Sequence, residues 1–238
     1  MARRSIAAAA SVCRPPMGDA LRHRAVLFDL DGTLLDTIED LAAAMNAALS
    51  ACGLPGRPEV AEHKRYVGDG VAKYVERTVP ESARGDAELL ARVTRRYRAA
   101  YADGWKKLTR PYDGIGELLD ELARRSVRCA VLSNKPDDTT RLTTEEFLGA
   151  GRFDVIRGAT DGVPLKPDPA AAIAVAAEMG LEPGQFAYVG DTATDMATAK
   201  AAGMFAIGAL WGFRGADELR AAGAEALAAA PADVLKLI

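Results

Sequence analysis

The sequence predicts an α/β fold: a Rossmann-like parallel sheet core with helices on both faces, plus an all-helical cap inserted after the first strand. Three observations carry this reading. Short apolar runs of strand length alternate with helix-length stretches over residues 112–238, a pattern that demands βαβ crossovers. The first apolar run ends in carboxylates and a glycine, as a buried parallel strand does where it opens into a loop. From Thr37 to Arg110, by contrast, every periodic stretch is helical and no strand is apparent. The expected organisation is therefore a core of residues 24–36 and 112–238 and a cap of 37–111.

The elements follow in order. Residues 1–23 are set aside as a disordered extension, because MARRSIAAAASVCRPP is rich in Arg, Ala and Ser and free of acids. A transit or export segment shares that composition, and translation from Met17 would account for it equally well. Ala25 to Leu30 is the first strand; Val127 to Leu132, Phe153 to Ile156, Phe186 to Gly190 and Met204 to Gly208 are the others. Ile115 to Arg125, Asp137 to Leu148, Pro169 to Met179 and Thr194 to Ala202 read as the covering helices. In the insertion, Ile38, Leu41, Met45, Leu49 and Cys52 recur at helical spacing, and Glu88 to Lys107 forms a long arginine-rich helix interrupted by Gly104. The chain returns through Pro111 to Gly114, so the insertion should lie over the C-terminal edge of the sheet, where open α/β folds bind ligands. The tail from Ala216 reads as a short helix, a turn at Pro231 and a last helix.

Composition narrows the partners. The 238 residues are 49% hydrophobic and 26% charged, with a net charge of −3, enough apolar matter for an ordinary core. No basic surplus exists to displace counterions from a nucleic-acid duplex. Cys13, Cys52 and Cys129 are too far apart for a zinc site or a disulfide framework, which suits a reducing cytoplasm. No apolar run approaches the ~20 residues of a membrane span. Charge is uneven: residues 37–111 carry 13 Lys/Arg against 10 Asp/Glu, whereas 25–36 and 112–238 carry 12 against 22. A solvated arginine-rich helix face explains such a run, and so does a lid that draws an anion towards a cation-binding floor.

The chemistry concentrates at strand ends. Asp29 and Asp31, two apart, project to one side if the backbone stays extended, and two close carboxylates need a cation or a proton between them. Ser133-Asn134-Lys135 closes the second strand with a hydroxyl and backbone amides. Lys166 precedes a helix start at Pro169. Asp191 and Asp195 flank a helix N-terminus, where either could also be a simple cap. Each signal alone fits an ordinary turn; His23 and His63, outside all four, read as surface residues, and Cys129 as core packing.

Together, in this order, the segments DLDGTLLDT, VLSNK, KPDP and GDTATDM resemble the four motifs of the haloacid dehalogenase superfamily of phosphohydrolases. The helical insertion resembles that family's cap. Arg65 to Gly70, the SNK triplet and Trp211-Gly212-Phe213 are most similar to phosphoglycolate phosphatases and their close relatives. The resemblance implies hydrolysis of a small anionic phosphate ester, with Asp29 as nucleophile, Asp31 as general acid and base, and Ser133 and Lys166 stabilising the phosphoryl group. It implies Mg²⁺ held by Asp29, Asp191 and the backbone carbonyl of Asp31, with Asp195 as a direct or water-mediated support. Thr33, Asn134, Lys135 and a cap residue, Arg65, complete the expected substrate-binding set, in a monomer or homodimer.

Rival activities separate on single features. A haloacid dehalogenase or a phosphonate hydrolase lacks the acid at Asp31. A phosphosugar mutase would retain both aspartates and the metal, and a pyrophosphatase of the same superfamily is a further alternative. A phospho-aspartate receiver needs neither the helical insertion nor the acid.

Overall fold

The computed structural model describes residues 23–149 and 151–238; the proposed extension, apart from His23, lies outside them. Eight strands and ten helices are named in chain order. Strand β1 (Ala25–Phe28) is buried along its whole length and lies between β4 (Arg128–Pro136) and β6 (Phe186–Gly190), parallel to both. With β5 (Val155–Ala159), β7 (Phe205–Ala209) and β8 (Ala226–Ala228) they form a parallel sheet of order β5-β4-β1-β6-β7-β8. This is the predicted α/β core.

Alternation along β1 divides the core in two. Val26 and Phe28 pack with α5 (Ile115–Arg124), through Ile115, Leu118 and Leu122, and with Val234 of the C-terminal α10 (Val234–Leu237). Ala25 and Leu27 face α7 (Ala170–Glu178) and α8 (Ala193–Ala202), meeting Val175, Met196 and Ala199. Such alternation, with period two, lets one short strand fill both faces. Helix α6 (Asp137–Leu148) follows β4, and α9 (Ala216–Ala221) follows β7.

Between β2 (Leu35–Asp36) and β3 (Arg110–Pro111) come α1 (Ile38–Ala51), α2 (Val60–Tyr66), α3 (Val71–Thr78) and α4 (Ala87–Gly104). Their apolar faces make a cluster of their own, built on Leu41, Met45, Leu49, Tyr74, Val93 and Tyr97. Asp86 starts α4 by accepting a hydrogen bond from the Leu89 amide at 2.9 Å. The two ends of the insertion meet: β2 and β3 pair antiparallel, and the buried Asp40 carboxylate accepts from the Leu108 and Thr109 amides and the Thr109 hydroxyl.

Four readings change. The stretch taken as strand-free holds Arg110 of β3, and the tail contains a sixth sheet strand, β8. His23, assigned to the extension, is buried and stacks on Phe205 at 5.0 Å. His63 is buried as well, between the Tyr74 hydroxyl at 2.7 Å and the Arg57 carbonyl at 2.8 Å, and burial lowers its pKa. No helix among the described residues is long and apolar enough to cross a membrane.

Candidate active site

Asp29 stands one residue beyond β1, and its amide donates to the Val189 carbonyl at 2.9 Å, so the sheet itself sets its position. The chain then turns sharply. The Leu30 carbonyl accepts from the Leu34 and Leu35 amides, and Gly32 adopts φ +95° with its Cα pressed on Asp191. A Cβ at residue 32 would lie 2.4 Å from an Asp191 oxygen, so only glycine fits. This turn separates the two aspartates that an extended strand would have aimed together. Asp29 faces the buried acids, and Asp31 faces Lys135, whose ammonium donates to both its oxygens at 2.9 and 3.0 Å.

Lys166 is the centre of the first group. Its side chain is 2% exposed, and Nζ donates to Asp29 Oδ1 and Asp195 Oδ1, both at 2.7 Å, and to the Leu132 carbonyl. Asn134 grips the Lys166 backbone from both sides, accepting from its amide at 2.9 Å and donating to its carbonyl at 3.1 Å. The same Asn134 amide reaches the Gly68 carbonyl of the helical insertion. Asp195 sits in the first turn of α8, in a reciprocal capping box with Thr192. Asp191 accepts from the Thr33 hydroxyl at 2.9 Å and the Phe213 amide at 2.8 Å.

Asp29, Asp191 and Asp195 each bring an oxygen to within 4.8 Å of the others, all buried. Burial, then repulsion from Asp195, raises the Asp29 carboxyl from an ordinary 3.8 to about 7, although Lys166 pulls it down. Asp191 is raised well above the carboxylate range by burial and by both neighbouring acids. Burial alone would lower Lys166, but the attraction of Asp195 and Asp29 outweighs it and keeps the ammonium charged. Three carboxylates thus face one lysine, an imbalance that a hard divalent cation with oxygen ligands would correct. The donor set fits such an ion.

Asp29 Oδ1 is taken by Lys166, whereas Oδ2 has no hydrogen-bond partner among the described residues. Asp29, Asp31, Ser133, Asn134 and Lys135 all line one cavity of about 800 Å³ between the sheet edge and the helical insertion. The insertion supplies an aromatic wall of Tyr97 and Tyr101 from α4 and Trp105 just beyond its end, with Arg98 beside them. Lys135 Nζ lies 4.7 Å from the centre of the Tyr101 ring.

The predicted residues therefore divide. Ser133 is at the cavity and accepts from the Lys135 amide at 3.3 Å. Thr33 is fully buried and spends its hydroxyl on Asp191, and Asn134 spends its amide on backbone groups. Arg65 is exposed and absent from the cavity wall, where Arg98 stands instead. Sequence reasoning missed Arg98, although its aromatic neighbours at four-residue spacing marked that face of α4. It noted Trp211-Gly212-Phe213 only as part of a resemblance, and it missed Arg214.

An acidic strand end, a buried lysine and two further acids thus meet at one edge of a parallel sheet. The chain belongs to the haloacid dehalogenase-like hydrolase family, whose model matches residues 26–209. Within that family it is a phosphatase. It is 33% identical to phosphoglycolate phosphatase 1 of Pseudomonas aeruginosa over 193 residues, covering 80% of this chain and 70% of that one. The phosphoglycolate phosphatase of Neisseria meningitidis is 34% identical over 201 residues, 83% of this chain and 85% of the other. The crystal structure of a predicted phosphoglycolate phosphatase from Haemophilus somnus superimposes with a TM-score of 0.85 at 25% identity, covering 92% of this chain and 99% of that one.

Proposed function

We propose that the chain hydrolyses 2-phosphoglycolate or a closely similar small phosphate monoester, in the cytoplasm, through an aspartyl-phosphate, with Mg²⁺ held by Asp29, Asp191 and Asp195 and the Asp31 carbonyl. The observation that carries this reading is the Asp29 carboxylate at the cavity, one oxygen fixed by Lys166 and the other free. Bound there, Mg²⁺ would neutralise the substrate dianion and the buried acids.

Asp29 Oδ2 attacks phosphorus as the P–O bond to the leaving alkoxide breaks, and Asp31 gives that alkoxide a proton. Asp31 then takes a proton from water, whose oxygen attacks the aspartyl-phosphate; inorganic phosphate leaves and Asp29 is restored. The Lys135 ammonium fixes the Asp31 carboxylate at the cavity through both of its oxygens. Lys166 holds the Asp29 and Asp195 carboxylates in register, and with Ser133 it stabilises the transferring phosphoryl group.

The likeness to phosphoglycolate phosphatases and the free Arg98 guanidinium on the cavity wall both support a substrate with a second anionic end. Arg98 has no ion-pair or side-chain hydrogen-bond partner among the described residues, and Lys135, the other cation lining the cavity, is held by Asp31. The volume favours a second reading, a bulkier ester such as a hexose phosphate, since about 800 Å³ would hold a drug-sized ligand. A screen of phosphoglycolate, hexose phosphates, pyrophosphate and p-nitrophenyl phosphate, with Mg²⁺ and with chelator, tests the proposal. Phosphoglycolate should give the highest kcat/KM, and chelator should abolish turnover; full activity in chelator would refute the metal assignment.

A further inference from the structure

The loop that follows β7 touches both the acidic cluster and the helical insertion, and it does so through consecutive residues. Trp211 donates from Nε1 to the Thr33 carbonyl at 2.9 Å, and the Thr33 hydroxyl in turn holds Asp191 Oδ1. Gly212 lies flat on that carboxylate: a Cβ there would stand 2.3 Å from Asp191 Cβ and 2.4 Å from the Gly32 carbonyl oxygen. The Phe213 amide donates to Asp191 Oδ2 at 2.8 Å, while its ring packs against the insertion's apolar cluster. Both oxygens of Asp191 therefore depend on this neighbourhood.

Arg214 completes the link. Its side chain is 13% exposed, and its guanidinium donates to the Lys64, Arg65 and Val67 carbonyls at the C-terminal end of α2, while Nε pairs with Glu218 in α9. One rigid planar fork thus clamps three insertion carbonyls from the core side, a task the single ammonium of a lysine would perform only in part. The amide that supports Asp191 is one residue away. The insertion holds the Phe213 ring and the Arg214 guanidinium on one side of this loop, and Asp191 holds the Phe213 amide on the other.

We propose that Arg214 is a positioning residue for the acidic cluster, so that docking of the helical insertion and binding of a divalent cation at Asp191 reinforce one another. This rests on the reading that the cluster holds Mg²⁺. Coupling between two sites is reciprocal: docking should tighten the cation, and the cation should favour docking.

The test uses the full chain, stripped of metal and titrated with Mg²⁺ by calorimetry, with amide hydrogen exchange followed over residues 64–70. Arg214→Ala should weaken Mg²⁺ at least about 5-fold, and Arg214→Lys by a smaller factor. Mg²⁺ should slow exchange over 64–70 in the parent chain and lose that effect in Arg214→Ala. Glu218→Gln, which leaves the three carbonyl contacts in place, should bind Mg²⁺ as the parent does. A merely structural clamp would raise KM and speed exchange without moving the Mg²⁺ isotherm. Parental Mg²⁺ affinity in Arg214→Ala, or in Arg214→Lys should the alanine variant not fold, overturns the proposal. Failure of the parent chain itself to bind Mg²⁺ would overturn the metal reading along with it.

Discussion

Lys135 and Asp31 form a two-pronged ion pair at 2.9 and 3.0 Å, with the lysine side chain 5% exposed and the aspartate 12%. Asp29, two residues earlier, has a different lysine and a different environment. The two carboxylates of one short motif are thus held apart, and substitution should test the separate tasks proposed for them.

Asp29→Asn should abolish formation of an acid-stable phosphoenzyme, because no nucleophile remains. Asp31→Asn should still be phosphorylated by p-nitrophenyl phosphate yet hydrolyse alkyl esters about 10²–10⁴-fold more slowly, the range of general acid and base catalysis. Equal slowing of phosphoenzyme formation from both ester classes, followed in single turnovers, would remove Asp31 from the leaving-group role.

Stability should depend on pH in a way that the cation reverses. Asp29 titrates near 7 in the folded chain against an ordinary 3.8. Between those values the folded state binds more protons than the unfolded state, and this group's contribution to stability falls as pH rises through the window. A cation competing for the same oxygens should stabilise more as the proton leaves. The rise in Tm on adding Mg²⁺ should be larger at about pH 8 than at about pH 5.5; equal rises would place the cation away from Asp29.

On the cavity wall, Arg98 and Arg65 make opposite forecasts. The ratio of kcat/KM for phosphoglycolate to that for ethyl phosphate, which lacks the carboxylate, should fall about 10–150-fold in Arg98→Ala. That is the worth of a hydrogen bond to a charged group, roughly 1.5–3 kcal/mol. Arg65→Ala should leave the ratio where it was. The reverse pattern would return the role to α2.

Asp40 closes the insertion by serving the Leu108 and Thr109 donors. Asp40→Ala strands the buried ones, at roughly 1–3 kcal/mol for each. Chemical denaturation should show that loss, and an unchanged midpoint would mean that water replaces the carboxylate.

Much of this architecture was legible because it repeats. The apolar run around Val26 and the alternation of runs and helices announce a parallel sheet without any knowledge of contacts. Short elements escaped. Ala226 to Ala228 is three residues of helix-favouring composition, and it becomes a strand only because β7 offers it a free edge. His63 depends on Tyr74 and Arg57, eleven and six residues away, and nothing in its own neighbourhood foretells burial. The site shows the same limit. The aspartates, Ser133 and Lys166 could be assigned to one sheet edge, but the pairing of donors with acceptors could not. Thr33 and Asn134 looked equally free to meet a ligand until tertiary structure committed one to Asp191 and the other to Lys166 and Gly68.

The antiparallel pair of β2 and β3 gives the enzyme a natural splice point. Leu35 is registered with Pro111 and Asp36 with Arg110, so the chain leaves for its long excursion and comes back on adjacent rungs of one ladder. A two-residue turn joining Asp36 to Arg110 would close that ladder as an ordinary hairpin, leaving β1, β4 and β6 with the spacing they have now. What lies between is thus exchangeable in geometric terms. Helices of another length or charge could be threaded through the same two rungs, changing what the enzyme admits while the strand that carries Asp29 stays where it is.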